Sequence, residues 1–375
     1  MSTNVMKDVF NPTLLSEIAG ELQSAHAPFD AVAFVTRSMD GLNDLELTGR
    51  AAHIAEALNE YLPKPFSAAA AVIEAAVGPE LPATGEIGRA AMRYMPHLTF
   101  VQKYGLDDYE AAIRVQAELS KRFTAEFSIR AFLEKYPERT YAQMLAWAVD
   151  DNTHLRRLAS EGTRPRLPWA PRLRAYQQDP QPVLELLELL KDDPVPYVQR
   201  SVANNLNDIA KDHPDLTIET CRRWAADAPD GRAWIIRHGL RSLVKAANKE
   251  AISILGGAEN PLVRINQSAI APQNAHLGDA VRLSFEIEST GSKAQRLLID
   301  YAVHFVKANG STRPKVFKLR SVTLQPGEQV TFSATVSLAA MTTRRLYPGD
   351  HRIDVLINGD AHPIGAFSLQ NPYCR

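Results

Sequence analysis

Residues Asp193–Leu206 read DPVPYVQRSVANNL, and this stretch predicts how most of the 375-residue chain folds. An aspartate and a proline-containing turn come first, and apolar residues then recur at helical spacing from Tyr197 onward. That spacing places the apolar side chains on one face of an α-helix and the polar ones on the other. We interpret the stretch as the second helix of a helical hairpin.

A weak internal repeat extends this hairpin along the chain. Asp230–Leu240, DGRAWIIRHGL, has the same outline of aspartate, turn, aromatic residue and arginine, and aligning Tyr197 with Trp234 gives a spacing of 37 residues. Asp150–Gly162 fits the outline loosely. Because a HEAT-type hairpin has an apolar face too small to be stable alone, such hairpins stack into a curved solenoid with a concave groove.

The pattern changes near residues 256–261, where helical spacing gives way to short alternating apolar segments separated by Gly, Pro and Asn turns. We therefore predict an all-α HEAT-like helical-repeat solenoid over residues 1–257, followed by a smaller all-β immunoglobulin-like sandwich over residues 262–375. The Cys–Trp–Cys pattern of true immunoglobulins is missing, so the second likeness is architectural.

The predicted helices are Pro65–Val77, Tyr109–Leu119, Arg122–Tyr136, Tyr141–Ala159, Pro182–Lys191, Tyr197–Lys211, Ile218–Ala226 and Arg232–Asn248. The predicted strands, among about seven in all, are Ala280–Glu288, Leu297–Lys307, Lys315–Leu319, Gln329–Ser337 and His351–Ile357. The aliphatic stripe predicted to be core is Val183, Leu186, Leu187 and Leu190.

The composition is that of a globular protein without a disulfide framework. Hydrophobic residues make up 45% of the chain and charged residues 23%, and the two cysteines, Cys221 and Cys374, lie far apart. The first residues are polar and acidic where a signal peptide would be apolar, and no apolar run approaches about 18 residues. We expect a cytoplasmic protein, associated with the nucleoid in use, with no membrane partner.

Short motifs of metal and nucleotide enzymes are missing from the sequence. There is no Walker A loop, no GxGxxG after a strand, no HExxH and no CxxC, and the histidines have no convincing ligand spacing. We therefore expect no metal site, no nucleotide cofactor and no other cofactor.

Positive charge is concentrated locally, although the net charge is −1. Residues 257–375 contain 13 basic and 9 acidic residues, and residues 156–174 contain six arginines around the single acid Glu161. A local cationic patch binds phosphates and releases their counterions even when the whole protein is near neutral. Nucleic acid is therefore a candidate partner.

The most unusual stretch is Arg156–Trp169, which reads RRLASEGTRPRLPW. Helix-forming residues continue to Glu161, and Gly162 and Pro165 then end the helix, because glycine favours a left-handed exit and proline lacks an N–H. An acid at a helix end, beside an aromatic ring and inside a basic patch, is an odd arrangement for stability alone. We consider this stretch the candidate functional site.

Three helix faces could line the groove beside this stretch. The faces, each at i, i+4 spacing, are Arg157 and Glu161; Arg200, Asn204 and Asp208; and Arg237, Arg241 and Lys245. Together they would form a cationic surface with Glu161 and Asp208 near its middle. Taken singly, each face also fits an ordinary solvated ion pair, and Trp169 alone fits a core anchor.

These residues resemble the HEAT-like-repeat alkylpurine DNA glycosylases, specifically the AlkC branch. The likeness rests on Phe123–Arg130 (FTAEFSIR), on Leu158–Trp169 with its SEGTRPRLPW core, on PYVQRSVANNLNDIAKD within Asp193–Asp212, and on Trp234–Asn248. The all-β part matches the immunoglobulin-like domain that some AlkC members carry. The long SEGTRPRLPW string is the specific element.

The resemblance implies a monofunctional DNA glycosylase of base excision repair, without lyase activity. Its substrates would be cationic alkylated bases, such as 3-methyladenine and 3-methylcytosine, in double-stranded DNA, reached without full insertion of the base into a pocket. A carboxylate beside the sugar can stabilise an oxocarbenium-like transition state and activate a water. A monomer is the simplest form for such a clamp on DNA.

Matching motif positions assigns Glu161 as the main catalytic carboxylate and Trp169 as the ring beside the lesion or sugar. Glu126 and Asp208 become second acids for water positioning or sugar contact. The predicted DNA-binding cations are Arg157, Arg164, Arg166, Arg200, Arg237, Arg241 and Lys245. We also expect the sandwich to contact DNA through basic pairs such as Arg344-Arg345. Two alternatives stay open: a non-catalytic DNA-damage-binding protein and a HEAT protein-interaction scaffold.

Overall fold

The computed structural model describes residues 6–82, 88–258, 260–340 and 345–370, without the side chain of Arg89. The chain forms two compact units, Met1–Thr220 with Trp224–Gly239, and Cys221–Arg223 with Leu240–Arg375. Helices precede the strands, which confirms the predicted fold class, and the last helix ends at Ile254 before the first strand begins at Val263. The domain limits at residues 257 and 262 stay a prediction.

The helices of the described residues are α1 (Pro12–Ala25), α2 (Ala31–Met39), α3 (Leu47–Tyr61), α4 (Phe66–Ala76), α5 (Met95–Tyr104), α6 (Tyr109–Ser120), α7 (Ser128–Lys135), α8 (Pro137–Ala148), α9 (Thr153–Gly162), α10 (Arg174–Gln178), α11 (Gln181–Leu190), α12 (Pro196–Ile209), α13 (Pro214–Ala225), α14 (Asp230–Gly239), α15 (Arg241–Lys245) and α16 (Lys249–Ile254). None of them is long and apolar enough to reach across a lipid bilayer.

Five of the described α-helices begin at a side chain that caps them. Asn11, Asp30, Asp108, Asn152 and Asn248 each accept a hydrogen bond from a backbone N–H of the first turn that follows. These N–H groups have no partner within a helix, so a capping oxygen stabilises each helix start by about 1 kcal/mol.

The repeat stretch packs as successive helices. α12, which contains most of Asp193–Leu206, packs against both α9 and α14, and α11 packs against α8, α9 and α12. The predicted core stripe of α11 is fully buried at Val183, Leu186, Leu187 and Leu190, which confirms that part of the pattern.

Three predicted helices are shorter or divided in the structure, and these predictions were wrong in extent. Arg122–Tyr136 contains a loop up to Phe127, where α7 has not yet begun. Tyr141–Ala159 spans two helices, because Asn152 caps a new helix after the end of α8. Arg232–Asn248 divides after Gly239 into α14 and α15, so its residues do not share one continuous helix face.

The strands are β1 (Val263–Ala271), β2 (Asn274–Ala275), β3 (Ala280–Ser289), β4 (Gln295–Val306), β5 (Thr312–Leu324), β6 (Gln329–Ser337), β7 (Gly349–Ile357) and β8 (Asp360–Leu369). One sheet has the order β1-β3-β6 and the other β2-β8-β7-β4-β5, with every pair antiparallel except β2 and β8. All five predicted strands are present, and β1, β2 and β8 are additional.

Alternation along the strands builds the core of the sandwich. In β3, for example, Val281, Leu283, Phe285 and Ile287 are buried, while the residues between them are exposed or half-buried. Because successive side chains of a strand point to opposite faces, this pattern gives each sheet one apolar inner face.

Candidate active site

Glu161 lies in the last turn of α9 and is only 6% exposed. Its Oε1 accepts a hydrogen bond from Arg164 Nη1 at 2.6 Å and lies 3.6 Å from Arg157 Nη2. Its Oε2 accepts from the Ser201 hydroxyl at 2.6 Å. Burial acts to raise the pKa of Glu161, but the two arginines and this hydrogen bond outweigh it and lower the pKa below 4.5. Glu161 is therefore a buried acid that stays ionised at neutral pH.

Two further acids join Glu161 through the same arginines. Arg164 Nε donates to Asp208 Oδ2 at 2.8 Å, so one guanidinium connects Glu161 and Asp208. Arg157 Nη1 lies 2.6 Å from Glu126 Oε2, which connects Glu161 and Glu126. The ion-pair network contains, in order, Glu126, Arg157, Glu161, Arg164, Asp208 and Lys211.

Local structure explains why these acids meet. Glu161 and Asp208 lie on α9 and α12, which pack together, and Glu126 lies in the loop before α7. Gly162 permits a close approach between α9 and α7, because a Cβ at this position would lie 2.8 Å from the Ile129 side chain. The expectation of a left-handed exit at Gly162 was wrong, since its φ is not positive and Thr163 continues in the right-handed region.

Glu126 differs from the other two acids in the hydrogen bonding of its carboxylate oxygens. The Thr124 hydroxyl donates to Oε2 of Glu126 at 2.8 Å, and Arg157 contacts the same oxygen. Oε1 of Glu126 accepts no hydrogen bond from any residue that the structure describes. Both carboxylate oxygens of Glu161 and of Asp208, by contrast, have partners. Glu126 is therefore the acid of the network with an oxygen left unpartnered by the described residues, where a water or substrate could donate a hydrogen bond.

Trp169 lies on a loop that follows α9 and leads to α10. We call residues 163–172 the Trp169 loop. Leu167 within the loop and Leu173 directly after it are buried, whereas the Trp169 side chain is 82% exposed. The backbone of Trp169 has a φ of +65°, in the left-handed region that costs a residue other than glycine about 1–2 kcal/mol. The expectation of a core anchor therefore does not apply, and an exposed aromatic ring in a strained backbone indicates a function.

This strain predicts an inverted order of stability at position 169. We expect Trp169→Gly to be more stable than Trp169→Ala by about 1 kcal/mol, because glycine adopts a positive φ without penalty and alanine does not. Urea unfolding of both variants measures the difference. At Val149, which is also exposed but has a φ of −113°, the alanine variant should be the more stable one. An alanine variant that equals the glycine variant at 169 would show that no strain is stored there.

The predicted cations fall into four groups. Arg157 and Arg164 belong to the ion-pair network, and Arg166 forms a separate pair with Asp212, to which its Nε donates at 2.8 Å. Arg200 and Arg237 are exposed and have no ion-pair partner within residues 6–82, 88–258, 260–340 and 345–370.

Arg241 and Lys245 lie on α15 in the second unit, so the helix face predicted to join them with Arg237 is not present. Arg345 is exposed, and its neighbour Arg344 lies outside the described residues.

Sequence reasoning missed four residues that contact members of the ion-pair network: Thr124, Tyr197, Ser201 and Lys211. The Arg157 guanidinium lies 5.2 Å from the centre of the Tyr197 ring. Lys211 could have been found from its i, i+3 spacing to Asp208, but Ser201 is 40 residues from Glu161 along the chain. Within the described residues no group of three or more metal-binding side chains occurs.

Comparisons with known proteins agree on both parts of the chain. A family model described as "DNA alkylation repair enzyme" matches residues 86–243, and a model of the C-terminal Ig-like domain of the uncharacterised protein YhaZ matches residues 264–371. The chain is 34% identical over 356 residues to the uncharacterized protein YhaZ of Bacillus subtilis (strain 168), covering 95% of this chain and 96% of that protein.

A solved structure is similar over nearly the whole length. It is the alkylpurine DNA glycosylase AlkC of Pseudomonas fluorescens, bound to DNA containing an abasic site analog. The TM-score is 0.90 and the sequence identity 37%, covering 98% of this chain and 100% of that one.

Proposed function

Because this chain belongs to the AlkC family of DNA alkylation repair enzymes, we propose that it hydrolyses the N-glycosidic bond of cationic alkylated bases in double-stranded DNA. The substrates would be bases such as 3-methyladenine and 3-methylcytosine. The observation that carries the proposal is the ion-pair network, in which three carboxylates are kept together by three cations, close in sequence to an exposed, strained tryptophan.

The chemistry of these substrates suits such a network. A base alkylated at N3 carries a positive charge and leaves as a neutral molecule, so the leaving group needs little protonation. The main requirements are then to stabilise the oxocarbenium-like sugar and to supply a water. A carboxylate that stays ionised provides negative charge for the sugar, and one with a free oxygen can orient the water.

We propose that these two tasks are divided between the acids. We assign the charge-stabilising task to Glu161, because its lowered pKa keeps it anionic and makes it a weak base. We assign the water to Glu126, whose Oε1 is open among the described residues. Asp208 also pairs with Arg164, so the positive charge of that arginine is shared between two carboxylates. Arg164 therefore does not fully neutralise the negative charge of Glu161.

Trp169 would act from the surface. Its exposed indole face is available to a DNA duplex, and an aromatic face stabilises a nearby cation by about 0.5–2 kcal/mol. The rate of base release should therefore fall by up to about 30-fold in both Trp169→Ala and Trp169→Gly, whichever variant is the more stable.

Monofunctional hydrolysis, without cleavage of the DNA strand, fits the lysine content of the network. Lys211 is its single lysine, and its ammonium group donates to Asp208 at 2.9 Å. An ion-paired ammonium lacks the lone pair that a Schiff base requires. We therefore propose that the enzyme has no lyase activity and needs no cofactor.

DNA binding is proposed to depend on exposed cations rather than on the paired ones. Arg200→Gln and Arg237→Gln should each lower the salt dependence of binding, reducing the slope of log K against log salt by about one, because each would remove one phosphate contact. Fluorescence titration of methylated duplex DNA at several salt concentrations measures the slope. Arg114→Gln removes an exposed arginine that pairs with Glu74 and should leave the slope unchanged.

We propose that exposed cations of the sandwich also bind DNA phosphates. β5 presents the exposed cations Arg313, Lys318 and Arg320. Arg313→Gln combined with Arg320→Gln should lower the slope in the same titration. A slope equal to that of the wild type would show that these cations of β5 do not bind DNA phosphates.

Release of 3-methyladenine from methylated duplex DNA by the purified wild-type protein tests the proposed function. Free base should appear, and borohydride should trap no covalent complex with abasic DNA. Tight binding of damaged DNA without release would favour the non-catalytic damage-binding alternative. Affinity for DNA that fails to fall steeply with salt would favour a protein-interaction scaffold.

A further inference from the structure

Arg130 is a buried arginine on α7. Among the described residues, it donates hydrogen bonds only to backbone carbonyls of the Trp169 loop and of Gly162, the residue directly before that loop. Its Nη1 donates to the carbonyl oxygens of Gly162 at 3.2 Å and of Arg164 at 2.8 Å. Its Nη2 donates to the carbonyl oxygen of Pro171 at 2.5 Å. The residue is 4% exposed, and it forms no ion pair within the described part of the chain.

A buried cation without a carboxylate partner is unfavourable unless its donors are satisfied elsewhere. Burial lowers the pKa of Arg130 to about 10, so the group is still charged at neutral pH. The loop carbonyls accept three hydrogen bonds from the guanidinium, and the carboxylates of Glu134, Asp208 and Glu126 also favour its charge without pairing with it. The loop and Arg130 therefore depend on each other.

The three carbonyls lie at the two ends of the Trp169 loop. Gly162 directly precedes the loop, Arg164 is at its start and Pro171 is near its end. A backbone hydrogen bond from the Leu173 N–H to the Pro165 carbonyl closes the loop, at 3.3 Å. Trp169, between these ends, has the strained φ of +65°. A strained backbone persists only where its surroundings fix it, and Arg130 supplies that restraint from below.

We propose that Arg130 is a positioning residue for base release: it clamps both ends of the Trp169 loop and so fixes Trp169 and the backbone of Arg164. The proposal rests on the proposed function, but the clamp has a readout of its own. Arginine suits this task because its planar guanidinium donates in several fixed directions, whereas lysine is a point charge on a flexible stem.

Arg50 offers a matched control. It is also buried, at 5% exposed, on α3, and it also donates to backbone carbonyls, those of Leu45, Lys7, Phe10 and Asn43. No member of the ion-pair network is among its partners. Loss of Arg50 therefore reproduces the removal of a buried arginine without touching the Trp169 loop.

The test compares Arg130→Lys and Arg130→Gln with Arg50→Lys and Arg50→Gln in the full-length protein. Thermal unfolding establishes that each variant is folded at the assay temperature. Limited trypsin digestion then measures cleavage after Arg172, an exposed site in the loop. Single-turnover release of 3-methyladenine and the affinity for abasic DNA are measured in parallel.

We expect both Arg130 variants to be cleaved after Arg172 about tenfold faster or more, because they lack hydrogen bonds from a charged donor that hold the loop closed. Base release should fall by about tenfold at saturating DNA while the affinity for abasic DNA changes little. The Arg50 variants should lower the melting temperature without either effect. Arg130→Lys keeps the charge and most of the volume, so it remains informative if Arg130→Gln fails to fold.

Arg130 variants that behave like the Arg50 variants, with unchanged cleavage after Arg172 and unchanged base release, would overturn the proposal and make Arg130 a general structural residue. Faster loop cleavage with unchanged release would overturn its role in positioning. A wild-type protein that releases no base would refute the proposed function instead, and the cleavage rates would still decide whether Arg130 clamps the loop.

Discussion

Glu161→Gln is expected to slow the release of 3-methyladenine by about 100- to 1000-fold, the usual effect of removing one preorganised electrostatic group from a transition state. Glutamine keeps the shape of the side chain and can still accept a hydrogen bond from Ser201 or Arg164. Arg164 also retains Asp208, and Arg157 retains Glu126. The variant should therefore fold and bind DNA while lacking the negative charge beside the sugar.

Single-turnover kinetics on methylated duplex DNA, with binding measured separately, test this prediction. Asp193→Asn is the matched control, because Asp193 is also buried and also paired with an arginine, Arg156 at 2.6 Å. It lies outside the ion-pair network, so its loss should leave base release close to that of the wild type. Unchanged release by Glu161→Gln would remove Glu161 from the mechanism.

Arg164→Gln is expected to have the largest effect on folding, with a loss of about 3–5 kcal/mol in the free energy of unfolding. The guanidinium of Arg164 is the shared partner of Glu161 and Asp208, and all three side chains are buried. Its removal leaves two buried carboxylates with fewer partners, which is more costly than the loss of an exposed pair. Urea unfolding at neutral pH measures the change.

Arg166→Gln is the control for Arg164, two residues along the same loop. It breaks the pair with Asp212, in which both side chains are partly solvated, and should cost about 1 kcal/mol or less. Equal losses for the two variants would show that the network is no more stabilising than a surface pair.

Arg164→Gln should also change how the stability of the protein depends on pH. In the wild type the pKa of folded Glu161 is below 4.5, so its contribution to stability is present above that unfolded value and is lost as the pH falls through the folded pKa. Without Arg164, burial is opposed by fewer charges and the folded pKa rises. The acid limb of the stability curve should therefore move toward neutral pH in Arg164→Gln.

Much of the fold could be predicted because periodicity is a local property. The helical spacing after Tyr197 and the alternation in β3 are both visible in a few residues, and each indicated the element that formed. The limits of helices were less visible. Asn152 begins α9 by accepting a hydrogen bond from a backbone N–H, but an asparagine inside a long apolar pattern does not by itself indicate a break.

The site could be predicted in part. Glu161 with Arg157 and Arg164 is visible from spacings of four and three residues. The link from Arg164 to Asp208 crosses 44 residues and depends on the packing of α9 against α12. Arg130 left no signal of its role, because its partners are backbone carbonyls, which are present at every residue whatever the sequence.

The sharing of arginines between acids has a consequence for how this site can diverge. Glu161 shares Arg157 with Glu126 and Arg164 with Asp208, so each acid partly compensates for the absence of its neighbour. The loss of one acid is therefore buffered, whereas the loss of a second acid leaves a cation stranded in the interior. Substitutions in the network should show strong epistasis, and sequences that depart from it are expected to have changed acids and arginines in compensating pairs.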